Sequence, residues 1–129
     1  MASDFQKTLS VIREKSKNDK ELGDIFEKMA KIFFENDSIQ KQQFSKVWHY
    51  NDWAKDKKEY SQTDIGIDLV AQIRGSNRFC AIQCKCYHKD HVISKADLDS
   101  FISASATSDF ERLILLSNCC CVNSTADWY

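Results

Sequence analysis

Two apolar runs of strand length, residues 67–71 and 79–87, lie close together in the chain, with Ser76 and Asn77 as turn formers between them. Runs of this kind joined by so short a connection predict a β-hairpin. Side chains two apart share a face of a strand. Ala81, Gln83 and Lys85 therefore point one way, and Cys80, Ile82, Cys84 and Cys86 the other. On the first run Asp64, Gly66, Asp68 and Val70 share a face. Polar groups thus interrupt apolar strands on a single side of each. A charge inside an apolar strand is costly unless it is paired or binds a metal.

The rest of the pattern is mostly helical. Asp4–Lys15 carries Phe5, Leu9 and Ile12 on one stripe, with Ser3 or Asp4 placed to cap it. After a polar stretch at residues 16–20, residues 23–34 place Ile25, Phe26, Met29, Ala30, Ile32 and Phe33 at the spacing of a helix buried on one face. Glu27 lies near the edge of that face. Residues 45–53, Ser-Lys-Val-Trp-His-Tyr-Asn-Asp-Trp, read as a first strand, and residues 54–62 as a charged loop rich in Lys. Ser94 is placed as an N-cap with Asp97 at the capping-box position, a shorter acid than the usual Glu. Residues 112–117 read as a buried strand. Helix, three strands in a meander, crossover helix and strand predict a mixed α/β sheet covered by helices.

Composition sets the bounds. A chain of 129 residues that is 43% hydrophobic holds enough apolar mass for one core and one domain. No run of about eighteen apolar residues occurs, so no membrane-spanning helix is expected. Residues 1–7 carry an early acid and no apolar core, which does not read as a secretory signal. With zero Pro and three Gly there is no linker or low-complexity segment. The six cysteines lack paired C-x-x-C knuckles. Cys84, Cys86, His88 and His91 could be imagined as a zinc site. Alternation instead sends Cys80, Cys84 and Cys86 into the core, where free Cys commonly lies, and reduced thiols in the cytoplasm are the expectation.

The chemistry sits on the hairpin. The Asp68 carboxylate and the Gln83 carbonyl are hard oxygen ligands of the kind Mg²⁺ accepts, with waters completing an octahedron. Lys85 alongside could act on an attacking water or stabilise charge on a phosphoryl oxygen. Asp64 begins an Asp-x-Gly turn and reads as structural. Each group also has an ordinary reading. Asp68 could cap a turn, Lys85 could snorkel at a strand end, and Glu27 could pair with Lys31 four residues on.

The stretches Thr63-Asp64-Ile65-Gly66-Ile67-Asp68-Leu69-Val70-Ala71 and Ala81-Ile82-Gln83-Cys84-Lys85-Cys86-Tyr87 together resemble the PD-(D/E)xK nuclease superfamily. The likeness is closest to its Mrr-like branch, in which Gln stands for the second acid before x-Lys. The chain is similar to the amino-terminal nuclease domain of large helicase-like restriction proteins, over roughly residues 20–118. The resemblance implies a restriction-endonuclease-like mixed central sheet flanked by helices. It implies a Mg²⁺-dependent endonuclease acting on double-stranded DNA, with Mn²⁺ as a substitute ion. Asp68, Glu27 and Gln83 would hold the metal, and Lys85 would complete the catalytic set; the Glu27 carboxylate would restore the charge lost when Gln replaces the second acid.

In the family the last strand is followed by another helix and strand. The expectation is therefore a fragment or an amino-terminal domain of a longer protein, and residues 119–129 carry no assigned part. Net charge is −1, from 18 basic and 19 acidic residues, so no domain-wide basic field attracts DNA. Local clusters at residues 55–58 and 85–91 also suit solvated loops. A fused or associated helicase, translocase or DNA-recognition module is expected to deliver the substrate. The alternative from another class is a catalytically silent nuclease-like module that binds DNA or supports assembly.

Overall fold

The computed structural model describes residues 4–60, 66–86, 92–117 and 121–122, and for residues 4–6, 8, 9, 92, 93, 121 and 122 the backbone alone. Asp64, His88, Lys89, His91, Cys119 and Cys120 fall outside the described residues. The order is α1 (Asp4–Lys15), α2 (Asp19–Asn36), α3 (Ser38–Gln43), β1 (Phe44–His49), α4 (Tyr50–Ala54), β2 (Leu69–Ile73), β3 (Phe79–Lys85), β4 (Val92–Ile93), α5 (Lys95–Ala104), β5 (Phe110–Ser117) and β6 (Cys121–Val122). The main sheet runs β1-β2-β3-β5. Its first three strands form an antiparallel meander, and β5 returns parallel to β3 after α5. This is the mixed sheet with flanking helices that the sequence predicts. No described helix is long and apolar enough to cross a membrane.

Alternation along the central strands divides the core in two. On one face Leu69, Ala71, Ile73, Cys80 and Ile82 pack with Ala30 and Phe34 of α2. On the other, Val70 and Ala81 pack with Tyr50, Trp53, Ala54, Tyr60, Phe101 and Phe110. Each large apolar side chain buried this way contributes roughly 1.5–3 kcal/mol relative to exposure. Helix α2 starts where the Asn18 side chain accepts the Glu21 amide at 2.8 Å, filling a donor that the first turn leaves open. The row it buries is Leu22, Phe26, Ala30 and Phe34, one residue every four, which is a continuous helix ridge. Ile32, expected on the buried side, lies two positions past Ala30 on another flank and is 60% exposed.

Two further expectations are corrected. The aromatic segment at residues 45–53 is not one strand: β1 ends at His49, and residues 50–54 form a helical turn. Tyr50, Trp53 and Ala54 are all buried, an i, i+3, i+4 set that a helix can bury together and a strand cannot. The Tyr50 amide donates to the Asp68 carbonyl at 2.9 Å, which ends β1 against the start of β2. Strand β5 is also less buried than its apolar run implies. It borders the main sheet beside β3 alone; Ile114 and Leu116 pack toward α2, while Leu113 is 46% exposed.

Burial extends to titratable groups. The Tyr60 hydroxyl donates to Asp109 Oδ2 at 2.6 Å and lies 2.8 Å from Thr107 Oγ1. Burial, reinforced by the Asp109 hydrogen bond, pushes it up to about 12 from 10.0. Burial likewise pushes Cys80 up to about 12 from 9.0. Both groups titrate later when folded than when unfolded, so the stability they confer is complete below about pH 9 and is lost as pH rises toward 12. Circular dichroism melts should give a constant midpoint between pH 7 and 9 and a falling one above. Tyr60→Phe should flatten the fall beyond pH 10; a wild-type midpoint that does not move between pH 9 and 12 contradicts this.

Candidate metal and phosphodiester site

The start of β2 is clamped on both sides. Beyond the bond from Tyr50, the Asp68 amide donates to the Ile82 carbonyl at 2.9 Å. The Asp68 carboxylate then accepts the Cys84 amide through Oδ2 at 2.7 Å, a charge-assisted bond of the shorter and stronger kind. Gly66, two residues earlier, has φ +92°. A Cβ there would come within 3.3 Å of the Phe101 amide nitrogen, so only glycine lets this turn lie directly against the α5 backbone. Gly66 and Asp68, just before β2, are thus held by α4, by β3 and by α5.

Asp68 opens into a cleft of about 660 Å³ whose lining includes Gly66, Gln83, Cys84, Lys85, Asp97 and Ser100. Three of the four residues singled out in the sequence, Asp68, Gln83 and Lys85, therefore meet in one place. Gln83 is 4% exposed, and its Oε1 is buried with no hydrogen-bond partner among the described residues. An acceptor left in that state costs about 1–3 kcal/mol, a cost that a hard cation bound to the carbonyl would offset. Lys85 is the last residue of β3; its Nζ lies 3.9 Å from Asp97 Oδ1.

Glu27 is placed differently. It lines a smaller pocket of about 180 Å³ with His49, Tyr50, Asn51, Ile67 and Asp68. Asp68 alone lines both spaces, whereas Glu27 does not line the Gln83 cleft. Glu27 Oε1 lies 3.0 Å from His49 Nδ1, and the Lys31 expected as its helix partner donates to Glu35 instead. Among the described residues, no three His, Cys, Asp or Glu side chains gather so that they could hold an ion by themselves. A cation here would need the Gln83 carbonyl and its own waters.

The cysteines behave as packing groups. Cys80, Cys84 and Cys86 are free thiols, and all three join core clusters on the α2 side. Burial pushes the Cys84 thiol well up, with the charges of Asp68 and Glu27 adding to the effect. A neutral thiol beneath the carboxylates is the result. Two residues near the site had no functional signal in the sequence. Asp97 reads there as a helix cap, which it is, but its cap uses Oδ2 and leaves Oδ1 toward Lys85. His49 reads as one more residue of an aromatic strand.

A restriction endonuclease family model, Mrr_cat_2, matches residues 35–128. The span holds Asp68, Gln83, Lys85 and Asp97, while Glu27 precedes it. No curated protein and no solved structure matches the chain.

The unpaired Gln83 carbonyl makes a stability prediction. Gln83→Met keeps a buried side chain of similar length and removes the unsatisfied acceptor. In metal-free buffer the variant should be more stable by about 1 kcal/mol in urea denaturation. A loss of stability of that size would mean that Gln83 Oε1 is satisfied in solution.

Proposed function

The chain belongs to the Mrr_cat_2 restriction endonuclease family, and we propose that it is a Mg²⁺-dependent DNA endonuclease domain that hydrolyses phosphodiester bonds within a restriction system. The observation that carries this reading is the unpartnered, buried Oε1 of Gln83, a residue that lines one cleft with Asp68 and Lys85. One carboxylate and one amide carbonyl suit Mg²⁺, which keeps several waters and takes few protein ligands; Mn²⁺ accepts the same donors. Asp68 and Gln83 would hold the ion, with Glu27 adding its carboxylate from the adjoining pocket. Once bound, the metal would supply an acidified water and neutralise charge on the phosphoryl oxygens.

The chain's own residues do the rest. The Cys84 amide holds the Asp68 carboxylate in one orientation before any ligand arrives, so no reorganisation is needed at the moment of reaction. Gln83 lends a neutral donor, which leaves the site with less negative charge than two acids on the strands would give. Lys85 brings a positive charge to the same cleft, where it would stabilise the phosphoryl oxygens or hold the attacking water. Double-stranded DNA is the substrate. A net charge of −1 gives little attraction for phosphate, so a fused or associated helicase, translocase or recognition module would supply the local concentration at DNA. On this reading residues 1–129 hold one nuclease domain working in the reducing cytoplasm.

The separation of Glu27 from the Gln83 cleft favours one second reading, a nuclease-like module that binds DNA without cutting it. A nicking assay on supercoiled DNA with Mg²⁺ or Mn²⁺ decides between them. Wild-type protein should nick, and Asp68→Ala should not. Lys85→Ala should keep metal and DNA binding while losing roughly two or more orders of magnitude in rate. Wild-type protein that binds DNA and never nicks it would favour the silent module. An effect of Lys85→Ala on DNA affinity alone would make Lys85 a phosphate anchor.

A further inference from the structure

Lys85 is the last residue of β3, and the strand ladder fixes its backbone but not its side chain. That side chain has four rotatable bonds, and a useful ammonium must be kept at one place in the cleft. A freely moving lysine would spend little time there. Asp97 faces it from the first turn of α5. The Asp97 amide donates to the Ser94 hydroxyl at 3.2 Å, and Asp97 Oδ2 accepts the Ser94 amide at 3.3 Å. This reciprocal capping box locks the carboxylate on its helix. Its second oxygen, Oδ1, is the one that lies 3.9 Å from Lys85 Nζ.

That distance matters in its own right. It exceeds hydrogen-bond reach, so the carboxylate draws the ammonium toward itself without occupying its three donors. Both side chains are only partly exposed, 25% for Lys85 and 30% for Asp97, so solvent screens the attraction less than between surface charges. Asp97 and Lys85 line the same cleft as Asp68 and Gln83. Gly66, pressed against the α5 backbone, ties the helix that carries Asp97 to the turn that carries Asp68.

We propose that Asp97 is a positioning residue: one oxygen caps α5, and the other holds the Lys85 ammonium in the cleft with its donors available to a phosphate. The catalytic part of this proposal rests on the nuclease reading; the anchoring part does not. Asp97→Asn keeps an oxygen for the Ser94 amide and removes the charge, so the helix cap survives. Ser94→Ala is the converse control, since it weakens the cap and leaves the charge.

Two measurements test it. The first is side-chain relaxation of the Lys85 ε-methylene by NMR in the metal-free protein, assigned by its loss in Lys85→Ala. Asp97→Asn should mobilise that group, and Ser94→Ala should not. Equal Lys85 mobility in wild type and Asp97→Asn overturns the proposal. The second is a double-mutant cycle on DNA nicking with Mg²⁺. Asp97→Asn should lower kcat on the order of ten-fold with KM unchanged, and should have no further effect in a Lys85→Ala background. Independent, multiplying losses overturn it. If wild-type protein binds DNA and nicks none, the nuclease reading fails while the relaxation measurement still decides whether Asp97 anchors Lys85.

Discussion

The 2.7 Å hydrogen bond from the Cys84 amide to Asp68 Oδ2 ties the start of β2 to the far end of β3. The bond restrains one oxygen of the Asp68 carboxylate at the strand end. With it, the carboxylate is fixed to the same strand that presents Gln83 and Lys85 on either side of Cys84. Strand alternation then sends those two flanking side chains into the Asp68 cleft and the Cys84 thiol into the core beneath. One backbone donor thus sets the spacing between a carboxylate, a carbonyl and an ammonium. The cost is an acceptor, Gln83 Oε1, that the folded protein leaves unpaired among its described residues.

The sheet also explains why the acidic groups do not form one cluster. Helix α2 packs on the Cys80, Ile82 and Cys84 side, and α5 borders the cleft on the opposite side through Asp97 and Ser100. Glu27 and Asp97 therefore approach the hairpin from different directions. Asp68, at the strand end, lines the space in front of each. Each flanking acid has a partner of opposite or titratable charge, His49 for Glu27 and Lys85 for Asp97. The result is a central carboxylate with a supported acid on each side.

Much of this was legible from local pattern. The period-two alternation of β3 predicted both faces, and the burial of Ala81 in one cluster and Cys80 and Ile82 in the other agrees with it. The capping box of α5 was readable because its partners lie three residues apart. The features that could not be read depend on long-range packing. Residues 50–54 carry aromatics that suit a strand, and only the Tyr50 to Asp68 bond and the shared burial of Tyr50, Trp53 and Ala54 make them helical. Ile32 looked apolar enough for the core, yet the Leu22-Phe26-Ala30-Phe34 ridge already fills the buried face of α2. The second contact of Asp97 joins residues twelve apart across a crossover, and no periodicity records such a pair. Likewise, nothing in the sequence tells that Gln83 lacks a partner, since that is a property of everything around it.

The central claim is that Asp68 and Gln83 form a hard-cation site held ready by the Cys84 amide. Two-dimensional ¹H–¹⁵N NMR during a Mg²⁺ titration reads that site directly. The account predicts saturable shifts of the Cys84 backbone amide and of the Gln83 side-chain amide, both abolished in Asp68→Ala. Shifts absent at both groups in the folded wild-type protein, or unchanged by Asp68→Ala, would contradict it.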